Sequence, residues 1–211
     1  MSSTDVIRVF KRRANFEGKI GHAGTLDVFA QGIVILMLGK GTKKFDEIQM
    51  MDKTYQAGAR LGYSSDTLDI EGVLLPQVDA PPTSFLQIEE ALQPFIGEYE
   101  QAIPRYSAAK QDGQPLYKLA RENKEIKPKS KPVKIYDIEL QDYMHPLVTM
   151  EVRCSSGTYI RQLTHDIFSS LELESFLFYL RRTQIGDIVL DSACELSEFA
   201  DDQWQQYVLP L

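Results

Sequence analysis

Cysteine is scarce in this chain: 211 residues hold only Cys154 and Cys194. Two cysteines give no disulfide framework and no zinc-ligand spacing, which points to a reducing compartment, the cytosol. Histidine is nearly as rare, with His22, His145 and His165 scattered singly. Without paired cysteines they offer no transition-metal centre, so no metal is expected. Long apolar runs are missing too. The longest, Ile33 to Leu38, is far too short to span a bilayer, and the first residues lack the apolar core of a signal peptide. No membrane association is therefore expected. There is also no basic excess. Lys and Arg number 23 against 30 Asp and Glu, a formal charge of −7, which at the level of total charge speaks against a nucleic-acid partner. No internal repeat is visible, and no Gly/Ser-rich linker divides the chain.

What is present supports a folded protein. A hydrophobic fraction of 43% over this length is enough for one sizeable core, or for two lobes sharing a sheet. The charge is unevenly spread. Lys11, Arg12 and Arg13 sit together, and Arg181 adjoins Arg182. The segment "RENKEIKPKSKPVK" carries five lysines and one arginine against two acids, whereas the tail "DSACELSEFADD" holds five acids and no base. An acidic total can coexist with a basic face, because a polyanion feels the field within a Debye length of ~8–10 Å. Solvated surface explains any single cluster equally well.

Periodicity outlines the elements. "SSTDVIRVFKRRANF" begins on a Ser or Thr cap and sets Val6 and Phe10 one turn apart, predicting a helix. "GIVILML" reads as a buried strand and "GTKKFDEIQMMDK" as a short helix or turn. "TYQAGARLG" alternates, with Tyr55, Ala57, Ala59 and Leu61 on one face. "TSFLQIEEALQPFIGEY" places Phe85, Ile88, Leu92 and Phe95 at helical spacing, and "PLYKLAREN" is a shorter helix with Pro115 in its first turn. "PVKIYDIEL" and "LVTMEVRCS" form a strand pair, the second with Val148, Met150, Val152 and Cys154 on one face. "SSGTYIRQLTHDIFSSLE" opens a helix with Ile160, Leu163, Ile167 and Leu171 inward, and "FLFYLRRTQIGDIVL" returns as a strand. Hairpin-joined strands with irregularly placed helices predict an α+β fold with a largely antiparallel sheet.

Three stretches could carry chemistry. In "KIGHAGTLDVFAQG", glycines allow backbone to approach a planar or phosphate-bearing ligand. His22 offers a ring to stack or to bond a phosphate, and Asp27 could act as nucleophile, base or electrostatic group. A glycine-rich turn capped by Asp27 reads equally well on this stretch alone. In "SSGTYIR", Arg161 falls in the first turn of a helix, where the dipole is unfavourable to a cation, so a carboxylate elsewhere is its natural partner. The third stretch, "SSDTLDIEG", groups Asp66, Asp69 and Glu71 but lacks the alternating ligands and fixed glycine of an EF-hand, and reads as a hairpin turn. His145 and His165 read as structural and Cys154 as core.

These segments together resemble a known family. "GHAGTLDVFAQGIVILMLGKGTK" is similar to the TruB family of tRNA pseudouridine synthases, whose pattern runs G-H-x-G-T-L-D-P-x-A-x-G-x-L. "DKTYQAGARLGYSSDTLDIEG", "IPRYSAAKQDGQPLYKLAREN", "VRCSSGTYIRQLTHDI" and "YLRRTQIG" resemble its later blocks, in family order from residue 2 to about residue 190. The resemblance implies the pseudouridine synthase fold: a mixed, mostly antiparallel central sheet with flanking helices and an RNA-binding cleft. It implies that Asp27 is the catalytic aspartate, that Tyr55 stacks on the target base, and that Arg161 pairs with the aspartate. His22, Tyr159 and Leu180 match residues lining the pocket of the flipped nucleotide.

The implied substrate is the T-arm stem-loop of tRNA, and the implied reaction isomerises the T-loop uridine at tRNA position 55 to pseudouridine after the base is swung out of the loop. Asp27 serves either as nucleophile at C1′ or as base at C2′, and the sequence leaves both open. No cofactor is implied, because base and sugar stay within one molecule. Lys19, Lys127, Lys129, Lys131, Arg181 and Arg182 are the candidates for the RNA backbone, with the three middle lysines on a mobile "KEIKPKSKP" loop. Residues 1–211 are expected to form a single catalytic domain of a cytoplasmic monomer, without the family's opening "KPxGxTS" strand motif or a C-terminal PUA domain. Val28 stands where the pattern has proline, and Glu174 and Ser175 where small residues are usual. A relative that binds or folds RNA without catalysis is the alternative.

Overall fold

The computed structural model describes residues 1–197 and 204–209, so Glu198, Asp201 and Asp202 of the acidic tail lie outside the described residues. The elements run α1 (Ser3–Arg13), β1 (Ile20–Ala23), β2 (Gln31–Gly32), β3 (Ile35–Leu38), α2 (Phe45–Met50), β4 (Lys53–Leu61), β5 (Tyr63–Ser65), β6 (Leu74–Pro76), α3 (Phe85–Leu92) and β7 (Gly97–Ala102). They continue as β8 (Lys110–Gln111), β9 (Gln114–Pro115), α4 (Leu116–Arg121), β10 (Ser130–Met144), β11 (Leu147–Cys154), α5 (Ile160–Ser169), β12 (Ser175–Ile185) and β13 (Ile188–Val189). The chain forms two compact units, Met1–Tyr55 with Leu180–Leu211, and Gln56–Tyr179.

In the first unit, α1 starts on a reciprocal capping box: Asp5 N–H donates to Ser2 Oγ, and the Asp5 carboxylate accepts from Ser2 N–H. Phe10 is buried and meets Phe16 and Trp204 in tilted and edge-on ring contacts, each pair of centroids under 6 Å apart. Strands β1 and β3 pair antiparallel from Ile20 opposite Leu38 to Ala23 opposite Ile35. The expected strand "GIVILML" is thus shorter, because Ile33 and its neighbours turn away to meet β12. The second half of β12 takes β13 antiparallel and β2 in parallel, with Arg182 opposite Gly32.

In the second unit the sheet order is β12-β4-β11-β10-β7. The β10–β11 and β10–β7 pairs are antiparallel. Val148, Met150, Val152 and Cys154 are fully buried on one face of β11, as the alternation predicts. Helices α3 and α5 pack together and against β10 and β7, and bury Ile88, Leu92, Ile160, Leu163 and Ile167. Helix α3 starts on a second capping box, from Ser84 to Gln87, while Phe85 lies outside the core at 47% exposure. The fold is α+β with a mixed, mostly antiparallel sheet. Among the described residues no helix is long and apolar enough to cross a membrane.

Two further expected placements change. Pro115 precedes α4 at its cap instead of sitting in the first turn. Lys131 belongs to β10, paired with Gln101 of β7, and not to a mobile loop.

Candidate active site

Seven of the twelve expected residues lie in the first unit, among them Asp27 on the loop joining β1 to β2. Asp27 sits midway along it, half-buried, and its carbonyl accepts from Ala30 N–H at 3.0 Å, which closes a turn. Leu26 N–H donates to Ser3 Oγ at 3.3 Å and so ties the loop to the start of α1. Gly24 has φ of +73° and Gly32 of +101°, backbone that glycine adopts without steric cost. At Gly32 a Cβ would also stand 2.2 Å from the Arg182 carbonyl oxygen, so β2 lies against β12 only because no side chain intervenes.

His22 is half-buried on β1, and its Nδ1 has no hydrogen-bond partner among the described residues. Burial, and after it the nearby Arg182 charge, holds the imidazole below its usual pKa, so the ring is neutral at physiological pH. Tyr55 on β4 and Leu180 on β12 are buried, at 9% and 4% exposure.

The second unit carries Tyr159 and Arg161. Tyr159 caps α5, and fully buried Gln101 clamps its backbone: Tyr159 N–H donates to Gln101 Oε1 at 2.8 Å, and Gln101 Nε2 donates to Tyr159 O at 3.1 Å. The Lys131 ammonium lies 4.4 Å from the Tyr159 ring centroid and donates to Gly157 O. Burial lowers the Lys131 pKa.

Arg161, in the first turn of α5, is 4% exposed. It donates to Thr67 O at 3.1 Å and Tyr106 O at 2.6 Å, and Nη1 lies 3.5 Å from Asp69 Oδ2. Asp69 is thus a carboxylate partner of the kind the helix dipole demands. Its other oxygen accepts from Thr67 Oγ1 at 2.6 Å and Glu71 N–H at 3.0 Å. Asp66 accepts from Val73 N–H at 2.8 Å, so the acids of this hairpin organise their own turn.

The backbone candidates separate into three kinds. Lys19, Lys127 and Lys129 are exposed, while Lys131 and Arg181 are half-buried. Arg182, expected on the RNA backbone, is 1% exposed, and its guanidinium donates to carbonyls of its own unit; a phosphate cannot reach it. Sequence reasoning placed Asp69 in a hairpin turn without seeing it as the partner of Arg161, and missed Gln101 and the interior placement of Arg182. For Asp69 a signal exists: an acid between Leu68 and Ile70 sits in an apolar setting that asks for a buried cation.

Comparison with known proteins places the chain. The profile of the TruB family pseudouridylate synthase N-terminal domain matches residues 11–160. A tRNA pseudouridine synthase B of Francisella tularensis subsp. tularensis is 39% identical over 209 residues, which cover 99% of this chain and 69% of that protein. A tRNA pseudouridine synthase B of Clostridium novyi is 38% identical over 211 residues, covering 100% of this chain and 72% of the relative. The chain belongs to the TruB family.

Solved structures share the TruB-like fold at lower identity. A Cbf5-Nop10-Gar1 complex matches with a TM-score of 0.72 at 24% identity, over 97% of this chain and 51% of that one. A chain of an H/ACA RNP bound to a substrate RNA containing 2′-deoxyuridine matches with a TM-score of 0.71 at 23% identity, over 98% of this chain and 51% of that one. This chain therefore spans about half the length of those solved chains. Within the TruB pattern, the "GHAGTLD" residues fall on the β1–β2 loop, and the "GTYIR" residues on the start of α5.

Proposed function

We propose that the chain is a tRNA pseudouridine synthase that isomerises the T-loop uridine at tRNA position 55. In this reading the target nucleotide is extruded from the RNA loop, since its reacting atoms are inaccessible while the base is stacked. The C1′–N1 bond breaks, the uracil turns, and a C1′–C5 bond forms while the C5 proton is lost and N1 gains one. Asp27 acts on the ribose, as nucleophile at C1′ or base at C2′. Tyr55 stacks on the uracil, and Arg161 is assigned as the cation of the catalytic set. His22, Tyr159 and Leu180 are assigned to binding the flipped base; a neutral His22 suits stacking and hydrogen bonding to an uncharged base. Lys19, Lys127, Lys129 and Arg181 are the candidates for phosphate contact. The enzyme is read as a cytoplasmic monomer that takes no cofactor or metal.

The observation that carries this reading is Asp27 itself. In a TruB-family chain, the motif acid stands on a glycine-flanked loop, tethered at Leu26 and closed by a turn at Ala30. The test is Asp27→Asn, which removes charge and nucleophilicity while keeping shape. Pseudouridine formation on a T-arm stem-loop, read by carbodiimide-blocked reverse transcription, should vanish, while RNA affinity stays within a few fold. Retained turnover would overturn the assignment. An inactive parent chain that still binds the stem-loop would favour a non-catalytic RNA-binding protein.

A further inference from the structure

Arg182 is among the most deeply buried large side chains of the molecule, at 1% exposure. Nε and Nη2 donate to Ile33 O at 2.9 and 2.6 Å, and Nη2 also donates to Gly24 O at 3.0 Å. The backbone of the same residue adds a further tie, since Ile33 N–H donates to Arg182 O at 3.0 Å. Gly24 and Ile33 bracket the loop that carries Asp27, so one guanidinium grips the loop at both ends. Among the described residues no carboxylate pairs with Arg182. An interior cation balanced by carbonyls alone costs more than an apolar side chain of similar volume, so packing by itself does not account for it. The planar fork of arginine does, because its nitrogens can reach two carbonyls in a fixed geometry that an ammonium cannot reproduce.

We propose that Arg182 is a positioning residue for catalysis: it locks the ends of the β1–β2 loop at Gly24 and Ile33 and so fixes where the Asp27 carboxylate is presented. The inference rests on the reading of Asp27 as the catalytic acid. Its physical basis is the sharp dependence of rate on geometry, where a displacement of ~1 Å can cost on the order of a hundredfold. Gly32 belongs to the same device. Its missing Cβ lets β2 lie directly on the backbone of Arg182, so side chain and main chain of one residue hold the loop together.

The test uses the full chain with Arg182→Lys and Arg182→Met. Three quantities are measured: the melting temperature, the Kd for a T-arm stem-loop, and the single-turnover rate constant for pseudouridine formation at saturating protein. Arg182→Lys keeps the charge and can hold one carbonyl well but not both. It should melt cooperatively and bind the stem-loop within about threefold of the parent, yet turn over roughly 10–100-fold more slowly. Arg182→Met should be slower still, so that lysine gives partial rescue. A purely structural role would reduce the amount of active protein, seen as a lower amplitude, while the rate constant of folded molecules stayed the same. If Arg182→Met fails to fold, Arg182→Lys decides alone. A parental rate constant in Arg182→Lys overturns the inference and leaves the functional reading standing. A parent chain that forms no pseudouridine overturns that reading, and this inference falls with it.

Discussion

At the scale of single residues, the Arg161–Asp69 pair illustrates how a buried charge is kept. Both side chains are 4% exposed, so neither is stabilised by water. Breaking a buried pair from one side leaves an uncompensated charge, with typical costs of about 3–5 kcal/mol. Asp69→Ala also strips acceptors from Thr67 Oγ1 and Glu71 N–H, so the hairpin turn loses its organiser. Urea unfolding of Asp69→Ala should show a loss on the order of 3 kcal/mol, and Asp69→Asn a smaller one, because an amide oxygen still accepts both bonds. An Asp69→Ala curve that overlays the parent would show that the pair does not stabilise the fold. The need for this acid was legible in the sequence, since an arginine in a first helical turn requires a partner. Its identity was not, because Asp69 and Arg161 lie 92 positions apart in the numbering and only the fold brings them together.

At the scale of elements, β10 shows tertiary pairing overriding local composition. "KPKSKP" reads as a loop by its lysines and prolines, yet the ladder with β7 begins at Ser130 opposite Ala102 and runs to Ile135 opposite Gly97. Strand preference is set largely by neighbours, and the alternately buried Val133 and Ile135 anchor this stretch on the core. The consequence for the lysines is a division of labour. Lys127 and Lys129 are exposed, and in the proposed function are the ones to meet phosphates, whereas the Lys131 ammonium is held at Gly157 O and the Tyr159 ring. Each phosphate contact contributes about −0.9 to the slope of log affinity against log salt on a duplex. Lys127→Ala with Lys129→Ala should flatten that slope by up to roughly two units across a salt titration of T-arm binding. Lys131→Ala should instead weaken binding with little change of slope, because it removes support from Tyr159. A parental slope in the double variant would place the RNA face elsewhere, with Lys19 and Arg181 next to examine.

At the scale of the whole molecule, stability should respond to pH through two groups with opposite signs. His22 has a folded pKa below its ordinary value, from burial first and the Arg182 charge second. The unfolded chain therefore takes up a proton as pH falls through about 6.5, while the folded chain resists, and stability declines in that window. Asp166 has its pKa raised by burial, partly offset by the Gln162 hydrogen bond and the His165 charge. Its folded form protonates first as pH falls, so it returns some stability on the acid side. Both groups are partly solvated, which keeps the effects modest. Denaturant melts at pH 7.5, 6.5 and 5.5 should show a decline in the parent that is shallower in His22→Gln. Asp166→Asn should be more stable than the parent at pH 7.5, with the gain shrinking as the acid itself becomes neutral. Equal slopes in parent and His22→Gln would show that His22 titrates alike in both states.

Local sequence was enough for the family, the order of its motifs, a Ser or Thr cap ahead of α1, and the buried face of β11. Each of these is a local pattern: a run of residue types, a capping residue before a helical periodicity, or an alternation of period two. It also marked Asp27 and Arg161 as residues whose placement needs an explanation. The tertiary structure decided which charged groups are on the surface. Arg181 and Arg182 are adjacent and chemically identical, yet one is half-buried and the other sealed against the carbonyls of Gly24 and Ile33. Lys129 is exposed and Lys131 half-buried, on either side of the start of β10. The physical reason is that a charge is accommodated by whatever acceptors, rings and water surround it in space, and those neighbours are assembled from segments far apart in the chain.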